Sequence, residues 1–306
     1  MPVLKKGLKK KMALTINTNL SSLIAQRSLL DSTNALNLSI ERMTTGYKIN
    51  HSKDSAAGYA ISKLWETQLN SLDIASDNAA MGLDMLTTAE GTYDLLVSHI
   101  QRVRDLTEQA ANGTYGSDSL KAISKEMEAR FAEIDRIAKN AEFNGMSLMK
   151  DGNAAVKLQV GIKGDGNSQI TLAAELFAGA DLAAIKTMGG FSGSTANALA
   201  AECSGYTAGS AVDHTKPIAA LANLDKVITA ISSRATDLGA AQNRVESAMS
   251  AIDVQAQNLT SSLSTIRDTD VAEESSNYIQ AQILQQASAT LLSTANQLPS
   301  IALSLI

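Results

Sequence analysis

The chain has 306 residues, a formal net charge of −5, one cysteine and only 4% aromatic residues. The lone Cys203 excludes an intrachain disulfide, and the absence of any window approaching 18 consecutive apolar residues excludes a membrane-inserted helix. Lys5, Lys6, Lys9, Lys10 and Lys11 hold the one strongly basic stretch; from Met12 onward 21 basic residues face 31 acidic ones, and no basic, aromatic-interleaved surface remains to hold nucleic acid.

Residues 12–22 (MALTINTNLSS) are too polar to serve as the apolar segment of a secretory signal. Leu20, Leu23, Leu30, Leu36, Ile40 and Met43 then recur at helical spacing, which predicts an amphipathic helix over 18–45 with Gly46 as its C-cap. The polar run 47–55 (YKINHSKDS) separates it from a longer stripe that includes Leu72, Leu86, Tyr93, Val103 and Ala110. That stripe predicts a helix over 56–111, roughly 80 Å long at about 1.5 Å per residue, ending at Asn112-Gly113. A third helix, 118–140, is capped by Ser117 or Asp118, carries Leu120, Met127, Phe131 and Ile134, and stops before Asn144-Gly145. The period changes to two at Val156, Leu158 and Val160. With a turn at 164–167 (GDGN) and then Ile170 and Leu172, this predicts a β-hairpin near 155–173.

Residues 178–216 are rich in Gly, Ser, Thr and Ala. They predict a surface loop with one short helix near 196–201 and leave Cys203 in flexible backbone. From Leu221 to Ile266 apolar residues return at steps of three or four, the spacing of a coiled-coil-like helix. Asp270, with Glu273 three residues on, opens a last helix over 270–298 in the manner of a capping box. Pro299 is expected to end that helix, and Pro2, Pro217 and Pro299 all fall outside the predicted helices.

The expected fold is mostly α. Residues 56–177 and 217–266 form an elongated, coiled-coil-like rod domain with a small β-hairpin, and 178–216 a short variable surface stub. Residues 12–55 and 267–306 form a terminal two-helix bundle made by both chain ends, and 1–11 is an extension ahead of a true start at Met12. Leu20, Leu23, Leu36, Ile40, Tyr278, Leu284, Leu291 and Leu298 are expected to pack the terminal bundle. Helices this polar have little apolar area of their own to offset their ordering entropy. His51, His99 and His214 are too far apart for a metal pair on one helix turn. No H-E-x-x-H, G-x-S-x-G, phosphate loop or dinucleotide fingerprint is present, so no catalytic, cofactor-binding or metal residue is expected, nor an enzyme.

These motifs together resemble bacterial flagellins. At the N-terminal end they are residues 14–19 (LTINTN), Glu41-Arg42-Met43-Thr44-Thr45-Gly46-Tyr47-Lys48-Ile49-Asn50 and Lys53-Asp54-Ser55-Ala56-Ala57-Gly58. Gln101-Arg102-Val103-Arg104-Asp105-Leu106, residues 108–114 (EQAANGT), Glu133-Ile134-Asp135-Arg136-Ile137 and Phe143-Asn144-Gly145 follow. Residues 268–274 (DTDVAEE), 282–287 (QILQQA) and Ala295-Asn296-Gln297-Leu298-Pro299 mark the other end. The resemblance covers about 12–177 and 217–306, and its specificity lies in many co-linear motifs at both ends. It departs from the family at His51-Ser52, at Asp105 in place of the common Glu, and in residues 1–11.

The resemblance implies the structural subunit of the flagellar filament, in a short form without large outer domains. It implies export in unfolded form through the flagellar type III secretion channel, without a cleavable signal peptide, to an extracellular site. The implied partners are further copies of the chain, the flagellar export chaperone, the filament cap and the hook–filament junction proteins, together with the host Toll-like receptor that senses flagellin. It also implies that Gln101, Arg102, Arg104, Asp105 and Leu106, joined by Glu126 from the adjacent helix, form a self-assembly and receptor patch. Arg102, Leu106 and Glu126 are then expected to be reachable on the single chain, and 47–58 to act as a joint. A hook–filament junction protein and a secreted helical adhesin or effector are the alternative readings.

Overall fold

The computed structural model describes residues 18–150, 154–208 and 213–304, with side chains described as far as Gln297. Seven α-helices follow one another among these residues: α1 (Leu20–Thr45), α2 (Ala56–Ala111), α3 (Ser117–Asn140), α4 (Leu182–Gly189), α5 (Ala196–Ser204), α6 (Thr215–Arg267) and α7 (Val271–Ser304). Four short strands lie between α3 and α4: β1 (Glu142–Phe143), β2 (Met146–Ser147), β3 (Val156–Gln159) and β4 (Gln169–Leu172). The chain divides into two compact units, one of Met1–Thr67 with Leu259–Ile306 and one of Gln68–Asn258. The expected extension 1–11 and the last two residues lie outside the described residues, and so does the side chain of Leu298.

The Gln68–Asn258 unit is a helical core with two hairpins. On α2 a buried line runs through Leu72, Ala75, Ala79, Leu86, Ala89, Tyr93, Leu96, Ile100, Val103, Thr107 and Ala110, with Gly82, Met85 and Leu106 buried beside it. The line's steps of three and four, or seven where one is skipped, are the heptad seam of a coiled coil. On α6 the seam is Pro217, Ala220, Leu224, Val227, Ile231, Leu238, Ala241, Val245 and Ile252. Arg234 takes a vacant heptad place there, and its Nη1 donates to the carbonyls of Ala178 and Gly179 at 3.3 and 2.9 Å. Helix α3 adds Leu120, Met127, Phe131, Ile134 and Ala138.

The Asn144-Gly145 pair, expected only to stop a helix, forms the turn of a hairpin between β1 and β2. Both residues adopt positive φ, 48° and 77°, as a two-residue type I′ turn requires. The expected second hairpin is present, with Val156 opposite Leu172 and Leu158 opposite Ile170. Leu158 seats against Gly82 of α2, where a Cβ would come within 2.3 Å of its Cδ1.

The short helix expected near 196–201 is present within α5, whereas the surface loop expected over the rest of 178–216 is corrected among the described residues. This segment carries α4 and α5, each with a polar N-cap (Asp181, Thr195) and a left-handed glycine C-cap (Gly190, Gly205). Ala180, Leu182, Ile185, Phe191, Leu199, Ala200 and Cys203 join the same hydrophobic core. Cys203 is fully buried in α5 rather than placed in flexible backbone, and burial pushes its thiol up to about 12. The Gly-rich composition hid α4 and the inward facing of Leu182, Ile185, Phe191 and Leu199.

Two prolines lie inside helices, contrary to expectation. Pro217 is the third residue of α6, in the first turn, where its missing N–H has no partner to lose. Pro299 does not end α7, which continues to Ser304.

In the other unit α1 and α7 pair antiparallel. Asn19 meets Ala295, Ser22 meets Asn296, Thr33 meets Gln285 and Arg42 meets Glu274. The buried residues of α1 are Ala25, Ser32 and Ser39, and on α7 they include Glu274, Ala281, Ser288 and Ala295. Both sets repeat every seventh residue, and apart from Glu274 all are small, which lets two backbones approach closely.

Candidate assembly surface

The consequence of a small-residue seam is that the large apolar side chains of the terminal unit point elsewhere. Leu20, Leu23, Ile24, Leu30 and Ile40 of α1 are exposed, as are Val271, Ile279, Ile283, Leu284 and Leu291 of α7. Leu20 is 68% and Leu291 62% exposed, against 0% for Tyr93 in the other unit. Leu36 and Tyr278 are half-buried. Of the residues expected to pack the terminal bundle, Leu20, Leu23, Ile40, Leu284 and Leu291 thus lie outside the α1–α7 seam of the single chain. A heptad step of small residues already fills the seam, and side chains on the opposite faces cannot reach it. Ser276, Ile279, Gln280, Ile283 and Leu284 line a shallow groove on the outer face of α7, with a cavity volume of about 360 Å³.

The connectors at the base of this unit are tied together. Backbone N–H groups of Lys48 and Thr269 donate to the carbonyls of Arg267 and Gly46 at 2.7 and 3.0 Å, so Tyr47 and Asp268 form an antiparallel bridge. The Arg267 guanidinium lies 4.0 Å from the Tyr47 ring centroid, a cation–π contact, and 3.6 Å from Glu66. Lys63, hydrogen-bonded to Glu66, holds that carboxyl below its ordinary range, with Arg267 adding to the effect. Asp54 accepts from the backbone N–H groups of His51 and Asn50, which holds its carboxyl low as well. His51, a departure from the flagellin pattern, places Nε2 2.8 Å from Glu41. Above these, Arg42 lies 3.6 Å from the buried carboxylate of Glu274. The contacts of Arg267 with Tyr47 and Glu66, of Lys48 with Arg267, of Thr269 with Gly46 and of Arg42 with Glu274 were not legible in the sequence, because each joins residues more than 200 apart. Asp270 does cap α7: its Oδ1 accepts from Ala272 and Glu273.

In the other unit the structure brings Arg102 and Glu126 together. Arg102 Nε and Nη2 donate to Glu126 Oε1 at 3.0 and 2.8 Å, and both side chains remain exposed. Gln101 and Asp105 are exposed beside them. Arg104 turns toward α6 instead, where its Nε donates to Asp225 at 2.7 Å. That hydrogen bond raises the guanidinium pKa further; Asp225 lies 121 residues away in the chain and carries no local sign of being its partner. Leu106 does not belong to the patch. It is 2% exposed, because it stands three residues after Val103 and four before Ala110 on the core stripe. Sharing a side of the helix with Arg102, four residues away, does not suffice when the face boundary runs between them.

The family model described as "Bacterial flagellin N-terminal helical region" matches residues 16–154, and "Bacterial flagellin C-terminal helical region" matches residues 221–306. "Flagellin FlaB2" of Treponema pallidum (strain Nichols) is 34% identical over 297 residues, which cover 95% of this chain and 99% of that protein. "Flagellin" of Halalkalibacterium halodurans is also 34% identical, over 291 residues and the same shares of the two chains. The crystal structure of Bacillus cereus flagellin aligns with 22% identity and a TM-score of 0.45, covering 61% of this chain and 94% of that one.

Proposed function

The chain belongs to the bacterial flagellin family and is a structural subunit of the flagellar filament; from that premise we propose that the outward apolar faces of α1 and α7 are the surfaces on which copies assemble. The carrying observation is the inversion of packing in the terminal unit, with small residues inside and leucines outside. An extended apolar face on an isolated helix pair marks an interaction site. Repeated on every copy in a heterologous arrangement, it builds an open helical polymer. The proposed terminal domain is 12–55 with 267–306, and the proposed rod domain 56–177 with 217–266. On this reading 178–216 is an outer cap whose inner side completes the core.

The filament lies outside the cell. The chain reaches it unfolded through the flagellar export channel, and the single Cys203, which cannot form an intrachain disulfide, supports this route. The export chaperone, the cap and the hook–filament junction proteins engage the same terminal faces, since these offer the apolar area. Gln101, Arg102, Arg104, Asp105 and Glu126 form the patch for neighbouring copies and for the host Toll-like receptor, with the exposed Arg102–Glu126 pair at its centre.

Two experiments test these readings. Purified chain added to filament seeds should extend them under the electron microscope; failure to extend rejects assembly through this chain alone. Arg102→Ala should weaken both receptor signalling and assembly while leaving the monomer's stability within about 1 kcal/mol, as for an exposed pair. Unchanged signalling removes the receptor role, and unchanged assembly removes the intersubunit role.

A further inference from the structure

Helix α7 runs through Pro299 to Ser304, which needs a physical account. Proline has no N–H, so the carbonyl four residues back, that of Ala295, loses its helical donor. At that carbonyl the structure places the side chain of Asn19, whose Nδ2 donates to Ala295 O at 2.6 Å. The same amide works in two directions: Asn19 is the N-cap of α1, and its Oδ1 accepts from Ser22 N at 3.1 Å. Its oxygen therefore satisfies an orphan donor of α1 and its nitrogen an orphan acceptor of α7. The assignment of the two ends of the amide follows from the partners, a donor on one side and an acceptor on the other. Ser22 and Asn296 add a side-chain bond at 2.6 Å beside it.

We propose that Asn19 is a positioning residue for polymerisation: its amide supplies the donor that Pro299 withholds, and so keeps the end of α7 helical and in line with α1. The carbonyl would otherwise sit in a seam between two helices with a donor missing, where unpaired polar groups are costly. Retaining the helix keeps the chain's last turn beyond Pro299 in fixed register with the apolar face of α7. The idea rests on the filament reading for its assay, and on the intrachain geometry for its content.

Substitutions at Asn19 and Pro299 test it as a pair. Asn19→Asp and Asn19→Ser both preserve an N-cap oxygen for α1; ionised Asp has no donor, and the uncharged Ser carries its one O–H an atom closer to the backbone than the Asn amide nitrogen, so neither presents the donor that Asn19 places on Ala295. Each should raise the critical concentration for seeded polymerisation by about three- to tenfold. Pro299→Ala restores a backbone N–H to Ala295. In that background the same Asn19 substitutions should change the critical concentration by less than about twofold. Wild-type behaviour of Asn19→Ser, or an equal penalty with and without Pro299→Ala, overturns the proposal. Should the wild-type chain itself fail to polymerise, the filament reading falls separately. Hydrogen exchange over 296–304 then decides the proposal: exchange faster in Asn19→Ser and slowed again in the double variant supports it, and unchanged exchange overturns it.

Discussion

The α1–α7 seam and the seam lines of α2 and α6 in the other unit share a seven-residue repeat but bury different side chains. Along α2 and α6 the repeat places Leu, Ile, Val and Tyr inside. Along α1 and α7 it places Ala and Ser inside and leaves the leucines out. A heptad pattern thus says that helices pair, while the size of the repeating residue says whether the pair is complete. Where the large residues are inside, the unit has its own core. Where they are outside, the apolar area that would stabilise the helices waits for another molecule.

Truncation of the well-filled core should have the largest effect. Phe131 is fully buried, and Phe131→Ala should cost about 3–5 kcal/mol of the stability of the Gln68–Asn258 unit, read from the urea midpoint of the monomer; a loss below about 1 kcal/mol would contradict its place in the core. The terminal seam should fail in the opposite way, by overfilling. Ser32→Leu inserts bulk where the helices approach closely and should cost about 1–3 kcal/mol, read as faster hydrogen exchange in both α1 and α7. Slower exchange there would mean that the seam has spare room.

The buried thiol gives a pH-dependent probe of the filled core. Cys203 is held up to about 12 in the folded unit, from an ordinary value of 9.0. Above about pH 9 the unfolded chain releases that proton while the native state keeps it. Stability should therefore decline by up to about 1.4 kcal/mol per pH unit as pH rises from 9 toward 12. Cys203→Ala should flatten the slope, and thiol labelling at pH 8 should wait for unfolding. The smallest effect on the single chain is expected at the outward face. Leu291→Ala should shift monomer stability by less than about 0.5 kcal/mol, yet raise the critical concentration for assembly about tenfold or more through lost burial. Equal effects in both assays would place Leu291 inside the monomer's own packing.

Much of the fold was legible because helix limits are written locally. Gly46, Asn112-Gly113 and Asp270 each mark an end through their own backbone preferences, and the helices stop or start there. The core role of residues 176–204 was not legible, because Leu176, Phe177, Leu182, Ile185 and Phe191 are scattered among glycines and alanines. The signal available was the paired caps, Asp181 with Gly190 and Thr195 with Gly205. At the candidate site, the facing of Arg102 and Glu126 followed from two adjacent helices. The burial of Leu106 also followed from its spacing to Val103 and Ala110, but only when that spacing is weighed above its distance from Arg102. The outward facing of the terminal leucines was not legible in detail, because an apolar stripe identifies a face and leaves its partner unnamed.

The Asn19–Ala295 contact spans 276 residues of chain, and that separation has a kinetic consequence. Loop closure over such a distance delays pairing until nearly every residue is available. On a ribosome adding residues at the usual rates, α1 emerges first and waits roughly 15 to 50 s for α7, while the helices of the Gln68–Asn258 unit meet partners made soon after them. The terminal unit is therefore the last part of each chain that can fold. Its first helix, carrying Leu20, Leu23 and Leu30 on an unpaired face, spends the longest time exposed to whatever else is in solution.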